Sequence, residues 1–393
     1  MLPRFSKLKS KIVNQKSLSG IYLHIPFCKQ ACHYCNFHFA TSLRFKDDLI
    51  TAMIKEIELT PFFDNNDAGG IQTIYFGGGT PSILQQVDLQ KILNALHSKF
   101  TIDPAAEITL EANPDDITIK SLQQWKAMGI NRLSVGIQSF AEEELKWMNR
   151  AHTAAEAINC IDTIKEAGFN NFSIDLIYGS PLLNNEGWKR NVDIAIEHNI
   201  PHISSYALTV EPKTLLNKLI AKKVQAAVSS NRQAEQFLLL INWMETAGYE
   251  HYEISSFALP GLRSKHNSSY WQGKQYYAFG PSAHSFDGKK RRWNIANNAA
   301  YIRSLQNNHI PFEEELLTTT QQLNEYIMTS IRTIEGTDLT YVATIFGKDI
   351  AGTLIKSAEK WVGGEKIYTQ NNFLILTGQG KLFADGIAAD LFF

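Results

Sequence analysis

Gly20-Ile21-Tyr22-Leu23-His24-Ile25-Pro26-Phe27-Cys28-Lys29-Gln30-Ala31-Cys32-His33-Tyr34-Cys35 is the stretch from which the rest of the chain is read. An apolar run, Ile21 to Ile25, has the composition of a buried strand and feeds a short loop. That loop holds three of the four cysteines in a Cys-x3-Cys-x2-Cys row. Three thiolates on one loop can hold three irons of a [4Fe-4S] cube, which leaves the fourth iron open to a substrate. Zinc is the alternative, since thiolates at short spacing also bind Zn2+. Cys160 stands alone on a helical segment, so a fourth zinc ligand would fall to His33 or His38, and His33 lies between two of the thiols. The spacing favours the cluster.

Outward from this loop, short β-branched runs alternate with longer helical stretches. Strands are expected at Ile21 to Ile25, Thr73 to Phe76, Glu107 to Glu111, Arg132 to Ile137, Phe172 to Ile177 and His202 to Leu208. Helices are expected at Asp47 to Leu59, Val87 to Lys99, Ile119 to Met128, Thr153 to Ala167 and Glu186 to His198. Strands joined through helices make a parallel α/β sheet with right-handed crossovers, and six in a row suggest a partial (β/α)6 barrel. A doubly wound open sheet is the alternative. Past Val210 the rhythm changes, through a helix near Gln233 to Thr246 and a Gly- and aromatic-rich region to Gly288. From about Pro311 it reads as short helices and a hairpin, a mainly helical, winged-helix-like domain. The expected divisions are a tail over 1–19, the barrel over 20–210, a barrel-completing region over 211–310 and the terminal domain over 311–393.

Composition narrows the function classes. Hydrophobic residues make up 44% of 393, enough for large cores, and 38 basic against 39 acidic residues leave a net charge of −1. No global positive field points to nucleic acid. Crowded free thiols fit a reducing, cytoplasmic compartment better than a disulfide framework. The first nineteen residues carry Arg4, Lys7, Lys9, Lys11 and Lys16 with no acid but lack the apolar core of a signal peptide, and are expected to be a solvated tail. No apolar run reaches the ~18 residues of a membrane span, so only peripheral membrane contact is open.

Polar and glycine residues gather where the expected strands end, the edge that carries active sites in barrels. Gly77-Gly78-Gly79-Thr80 follows one strand and lets backbone approach a ligand, although a tight turn alone would look the same. Glu111 ends the next strand and can accept hydrogen bonds from hydroxyl or ammonium groups. Gln138 and Asp175 offer similar groups on the following strands; each alone could be a turn or capping residue. Arg150 could pair a ligand carboxylate bidentately, with a helix-entry salt bridge as the alternative.

Tyr22-x-His24-Ile25-Pro26-Phe27-Cys28-x3-Cys32-x-Tyr34-Cys35-x-Phe37, the glycine turn, Glu111-Ala112-Asn113-Pro114 and Gly136-Ile137-Gln138-Ser139-Phe140 resemble the radical S-adenosylmethionine enzymes of the coproporphyrinogen III dehydrogenase group. The resemblance runs from Gly20 to the C-terminus. It implies that Cys28, Cys32 and Cys35 ligate the cluster and that the open iron chelates S-adenosylmethionine. It further implies that Tyr22, Gly78, Gly79, Thr80, Glu111, Gln138, Arg150 and Asp175 contact that cofactor.

Within the group the chain is more similar to the haem-chaperone branch. The dehydrogenases are expected to carry another cysteine where this chain has Phe37, and the Gly20 start leaves little room for their longer N-terminal extension. His266-Asn267-x2-Tyr270-Trp271 is similar to a segment of the chaperones, with Ser264 where the family often has a cysteine. The resemblance therefore implies haem as cargo, handed to apoprotein acceptors, respiratory ones among the candidates. Oxidative decarboxylation of coproporphyrinogen III is the alternative, and a zinc-stabilised binding module is a third class. His266 is a candidate axial haem ligand, with a purely structural histidine as the alternative.

Overall fold

The computed structural model describes residues 20–63 and 70–393; the expected tail over 1–19 lies outside them. The parallel strands are β1 (Gly20–Ile25), β2 (Ile71–Gly78), β3 (Ile102–Ala112), β4 (Arg132–Gln138), β5 (Phe172–Tyr178) and β6 (His202–Ala207), paired in that order. Helices connect them as expected: Lys46–Leu59, Gln86–Lys99, Ile119–Ala127, Ala154–Glu166 and Asn185–Glu197. One helix was not expected, Glu142–Met148, whose charged first turn masks its short apolar face.

Alternation along the strands sorts side chains onto two faces. Ile21, Leu23 and Ile25 on β1, Ile74 and Phe76 on β2, and Leu133, Val135 and Ile137 on β4 are completely buried in the main core. Each such side chain contributes roughly 1.5–3 kcal/mol by leaving water. The opposite face carries Tyr22 and His24, Tyr75 and Gly77, Thr109 and Glu111, Ser134 and Gln138, and Asp175. The barrel interior is therefore polar and aromatic, and its chemistry opens at the C-terminal edge.

The sheet continues on both sides of this core. Beyond β6 lie β8 (Ser256–Ala258) and β7 (Glu250–Glu253), both antiparallel to their neighbours. Beyond β1 lie β9 (Tyr276–Phe279), parallel to it, then antiparallel β10 (His284–Phe286), β11 (Lys290–Asn294) and β12 (Phe312–Leu316). Among the described residues this makes one sheet of twelve strands with two free ends, a partial barrel. β12 lies past the expected division at 311, yet it pairs along β11 and belongs to the large sheet. All five of its residues are exposed.

The terminal module has its own core of Leu323, Ile327, Val342, Leu354, Leu374 and Ile387. Helices Thr319–Ser330, Leu339–Ile345 and Lys348–Gly363 pack with a small sheet of β13 (Thr337–Asp338), β14 (Ile367–Gln370) and β15 (Phe373–Leu376). The β14–β15 hairpin supplies the expected wing. The module covers the β7 end of the large sheet, where Ile334 N donates to Tyr252 O at 2.9 Å and Glu253 bridges to Thr333.

Candidate functional site

The cysteine loop leaves β1 and is tied down on three sides. Next to β1, Ala40 N donates to Pro26 O at 2.9 Å and Cys28 N to Ala40 O at 3.0 Å, closing the loop on itself. Behind it stands the C-terminus of helix Glu142–Met148, whose last carbonyls lack partners within the helix. The loop satisfies them: His33 N donates to Met148 O at 3.1 Å, His33 Nδ1 lies 2.9 Å from Trp147 O, and Gln30 Nε2 donates to Asn149 O at 3.1 Å. Below, Leu216 N at the start of helix Leu215–Ala221 donates to His33 O at 2.7 Å. Lys29 forms ion pairs with Asp115 and Asp116. His33 is thus spent on holding the loop, and His38 Nε2 lies 2.7 Å from Asn298 Oδ1.

Asn149 adopts φ +59°, the left-handed conformation that ends its helix, and so turns Arg150 across the strand edge. Arg150 Nη1 donates to Cys32 Sγ at 3.2 Å, while Nη2 donates to Gly136 O at 2.7 Å and Asn113 Oδ1 at 2.8 Å. Among the described residues no carboxylate pairs with it, so the helix-entry salt bridge is not formed. Asn113 sits in the Glu111-Ala112-Asn113-Pro114 stretch, and nothing in the sequence marks it as the link between β3, β4 and the cysteine loop.

The glycine turn wraps the other side. Gly79 N donates to Ile25 O at 2.8 Å and Thr80 N to Phe27 O at 2.7 Å. A Cβ on Gly79 would stand 2.5 Å from Phe27 O, and Gly78 holds φ +107° with its own missing Cβ against the His24 ring. Both positions need glycine. Glu111 binds this turn, accepting from Gly78 N at 3.1 Å and from the Tyr75 hydroxyl at 2.8 Å. Gln138, at φ +66°, places its amide beside Arg150: a Cβ on Gly136 would lie 3.0 Å from Gln138 Nε2 and 3.2 Å from Arg150 Nη2. Behind them, Glu144 accepts from Ser139 at 2.7 Å and from Ser180, fastening the ends of β4 and β5.

Electrostatics follow from this enclosure. Loss of hydration pushes the Glu111 carboxyl up to about 7, and the nearby Asp175 adds to the rise against the hydrogen bonds from Tyr75 and Gly78. Asp175 is pushed up to about 6 by the same desolvation, countered by Ser204, Arg132 and Arg150. Desolvation raises the Cys28 thiol to about 11 and the other thiols add to this, while a hydrogen bond with Thr80 and the charge of Arg150 act against it. Desolvation also raises Cys35. Among the described residues no three His, Cys, Asp or Glu side chains gather as a single metal ion would require. Phe37 is 68% exposed at the mouth of the loop.

His266 lies elsewhere. Its ring stacks on Tyr75 with centroids 5.0 Å apart; Nδ1 is 2.8 Å from Thr73 Oγ1 and Nε2 2.8 Å from the Tyr270 hydroxyl. Thr73 pairs with Gly20 at the start of β1, whereas the cysteines follow its end. Five residues of strand separate those levels, about 16 Å. The ring is buried, and desolvation and Arg132 push its pKa down to about 3. An axial ligand needs a free ring nitrogen; both nitrogens of His266 are engaged.

The sequence profile of the radical SAM superfamily matches residues 22–195, the span from Tyr22 through the helix after β5. The chain is similar to the proteins named Heme chaperone HemW of Bacillus subtilis (strain 168), 30% identical over 375 residues covering 94% of this chain and 98% of that one. It is also similar to the HemW of Mycobacterium tuberculosis (strain H37Rv), 31% identical over 377 residues covering 95% and 94%. Among solved structures, coproporphyrinogen III oxidase (HemN) from Escherichia coli, described as a radical SAM enzyme, superposes with a TM-score of 0.82 at 20% identity, covering 97% of this chain and 91% of that one, which shows a shared fold. With full-length identity of this order to HemW proteins and a barrel built on the same plan, the chain belongs to the HemW family of the radical SAM superfamily.

Proposed function

We propose that this protein binds haem and passes it to apoprotein acceptors, and that it carries a [4Fe-4S] cluster and S-adenosylmethionine at the C-terminal edge of its barrel. The observation that carries the cofactor assignment is Arg150, which joins the sulfur of Cys32 to Gly136 and Asn113 on the two central strand ends. Cys28, Cys32 and Cys35 would hold the cluster; all three thiols are free and partly exposed on a loop tethered by backbone hydrogen bonds. Gly78 and Gly79 let the turn pack directly on His24 and the Phe27 backbone, which brings its own backbone beside the cysteine loop. Glu111 and Asp175 offer carboxylates to the cationic parts of the cofactor, Arg150 and Gln138 offer donors to its carboxylate, and Thr80 and Tyr22 border it. When bound, the cluster supplies a single electron to the sulfonium of its partner, so redox chemistry belongs to the cofactors and the chain orients and shields them.

The haem assignment is supported by the names of the full-length relatives and by Phe37, which stands exposed where the dehydrogenases are expected to have a thiol. Haem added to an anaerobically reconstituted preparation should give a saturable Soret change, with no conversion of coproporphyrinogen III by the same preparation. Absence of haem binding at micromolar concentrations refutes the reading; turnover of coproporphyrinogen replaces it with the dehydrogenase. Iron with equivalent sulfide is expected on analysis, and zinc without sulfide would instead indicate a zinc-stabilised module.

No helix among the described residues is long and apolar enough to cross a membrane. An acceptor in a membrane would therefore be met at its surface.

A further inference from the structure

The inner face of the barrel does not stop at β1. Gly20 pairs with Tyr276 and Tyr22 with Ala278, so Tyr276 and Ala278 continue that face onto β9. Phe286 pairs with Tyr276 and with Arg291, and His284 with Trp293. One surface therefore runs from Tyr22 through Tyr276, Phe286 and His284 to Arg291 and Trp293. Because β9 runs parallel to β1 and β10 returns antiparallel, His284 stands two residues nearer the cysteine edge than Phe286 does. Its charge is felt by His24, at the mouth of the barrel.

Three properties distinguish this shelf. First, it is aromatic: Trp293 stacks beside His284 with centroids 6.2 Å apart and an interplanar angle of 25°, and Phe286 lies 6.4 Å from Tyr276. Second, it carries a cation, since the Arg291 guanidinium lies 5.9 Å over Phe286 and remains 40% exposed while pairing with Glu325 at 2.9 Å. Third, it presents an uncommitted imidazole. His284 is exposed, and neither ring nitrogen is hydrogen-bonded among the described residues. The other histidines of the inner face are closed off: His24 is engaged by Tyr22 and His38 O, His266 by Thr73 and Tyr270, and His202, whose Nε2 meets Tyr252 and whose Nδ1 is unpartnered, is fully buried.

A flat, apolar macrocycle with a coordinating metal and two carboxylates on one edge matches all three. Resting on the haem-chaperone reading above, we infer that haem docks on the inner face of β9–β11, that His284 supplies its axial ligand, and that Trp293 and Arg291 contact its ring and its carboxylates. Arg291 and Tyr276 belong to the flank on which helix Thr319–Ser330 supplies Glu325. The carboxylate edge of the macrocycle points to that flank and the iron to the mouth.

The test uses the full chain with its cluster reconstituted anaerobically and ferric haem as titrant, read by absorption and by electron paramagnetic resonance. Wild type should show an imidazole-ligated iron. His284→Ala should lose that signature and bind at least about tenfold more weakly, with the signature restored by free imidazole. Arg291→Gln should weaken binding of haem but not of its dimethyl ester, which lacks the carboxylates. A wild-type signature and affinity retained in His284→Ala would overturn the assignment while leaving the haem-chaperone reading intact. Failure of the wild type to bind haem would overturn both.

Discussion

The guanidinium of Arg150 donates to the thiol sulfur of Cys32 across 3.2 Å, so a residue 118 positions away in sequence fixes one corner of the cysteine loop. The same side chain holds the carbonyl of Gly136 and the side chain of Asn113. Lysine would keep the charge but lose the planar fork. Arg150→Lys should lower the stability of the cluster-free chain by about 1–3 kcal/mol, from hydrogen bonds lost at partly buried partners. Urea unfolding measures this, and binding of S-adenosylmethionine to the cluster-loaded protein should weaken in parallel.

Glu111 and Asp175 set a pH dependence. Their folded pKa values, about 7 and about 6, lie above the ordinary carboxyl values of 4.5 and 3.8. The folded chain therefore holds more protons than the unfolded one between those limits. The stability associated with them is full below about pH 4 and is lost as pH rises through 6 to 7. For Glu111 the loss should be about 2–3 kcal/mol between pH 5 and 8. The difference between wild type and Glu111→Gln across that range, from urea midpoints, isolates this share. A cationic ligand that pairs with the carboxylates should reverse the trend, raising the melting temperature more at pH 7.5 than at pH 5.5.

Gly79 is a point where the glycine turn meets the cysteine strand. An alanine there would press its Cβ against Phe27 O and Ile25 O, at 2.5 Å and 2.9 Å in the unrelaxed structure. Relief requires moving the segment that leads into Cys28. Gly79→Ala should cost about 1–3 kcal/mol and reduce iron retention after reconstitution, whereas Gly352→Ala, where a Cβ meets open space, should retain iron as wild type does.

The four cysteines should separate into two classes. Cys160 is buried on helix Ala154–Glu166, donates to Ala157 O at 3.2 Å, and has its thiol pushed up to about 12 by burial. Alanine at Cys28, Cys32 or Cys35 should abolish the iron and sulfide content found after reconstitution; Cys160→Ala should retain both. In the cluster-free native chain a thiol reagent should modify the loop cysteines well before Cys160.

His266 should behave as a structural residue. Its replacement by alanine removes contacts to Thr73 and Tyr270 and the stack on Tyr75, and should lower stability by about 1–3 kcal/mol. Any haem-binding loss in His266→Ala should therefore track unfolding, measured by circular dichroism on the same sample.

The parallel strands are legible in the sequence because one face of each is apolar without interruption, as in Leu133, Val135 and Ile137. Helix Glu142–Met148 is not, because it is short and opens with Glu142-Glu143-Glu144. β9 to β11 escape for a similar reason: strands of three to five residues give too few alternations to stand out from a glycine- and aromatic-rich background. In the site, spacing alone singles out the three loop cysteines. Asn113 is visible in sequence only as part of the Glu111-Ala112-Asn113-Pro114 stretch, and Glu144 not at all, since the contacts of both are with partners elsewhere in the chain. His266 shows the converse: a conspicuous segment whose histidine is closed in by Thr73 and Tyr270, contacts that depend on how helix Lys265–Trp271 seats against β2.

The sheet ends in open air at β12, where five exposed residues read Phe312-Glu313-Glu314-Glu315-Leu316. An edge strand of that length, open on its outer side, is a template for another copy of the same chain. Three successive glutamates counter this, because two such edges brought together would set carboxylate against carboxylate on both faces of the join. The open edge of the sheet is thereby guarded by charge against pairing with a second copy of itself.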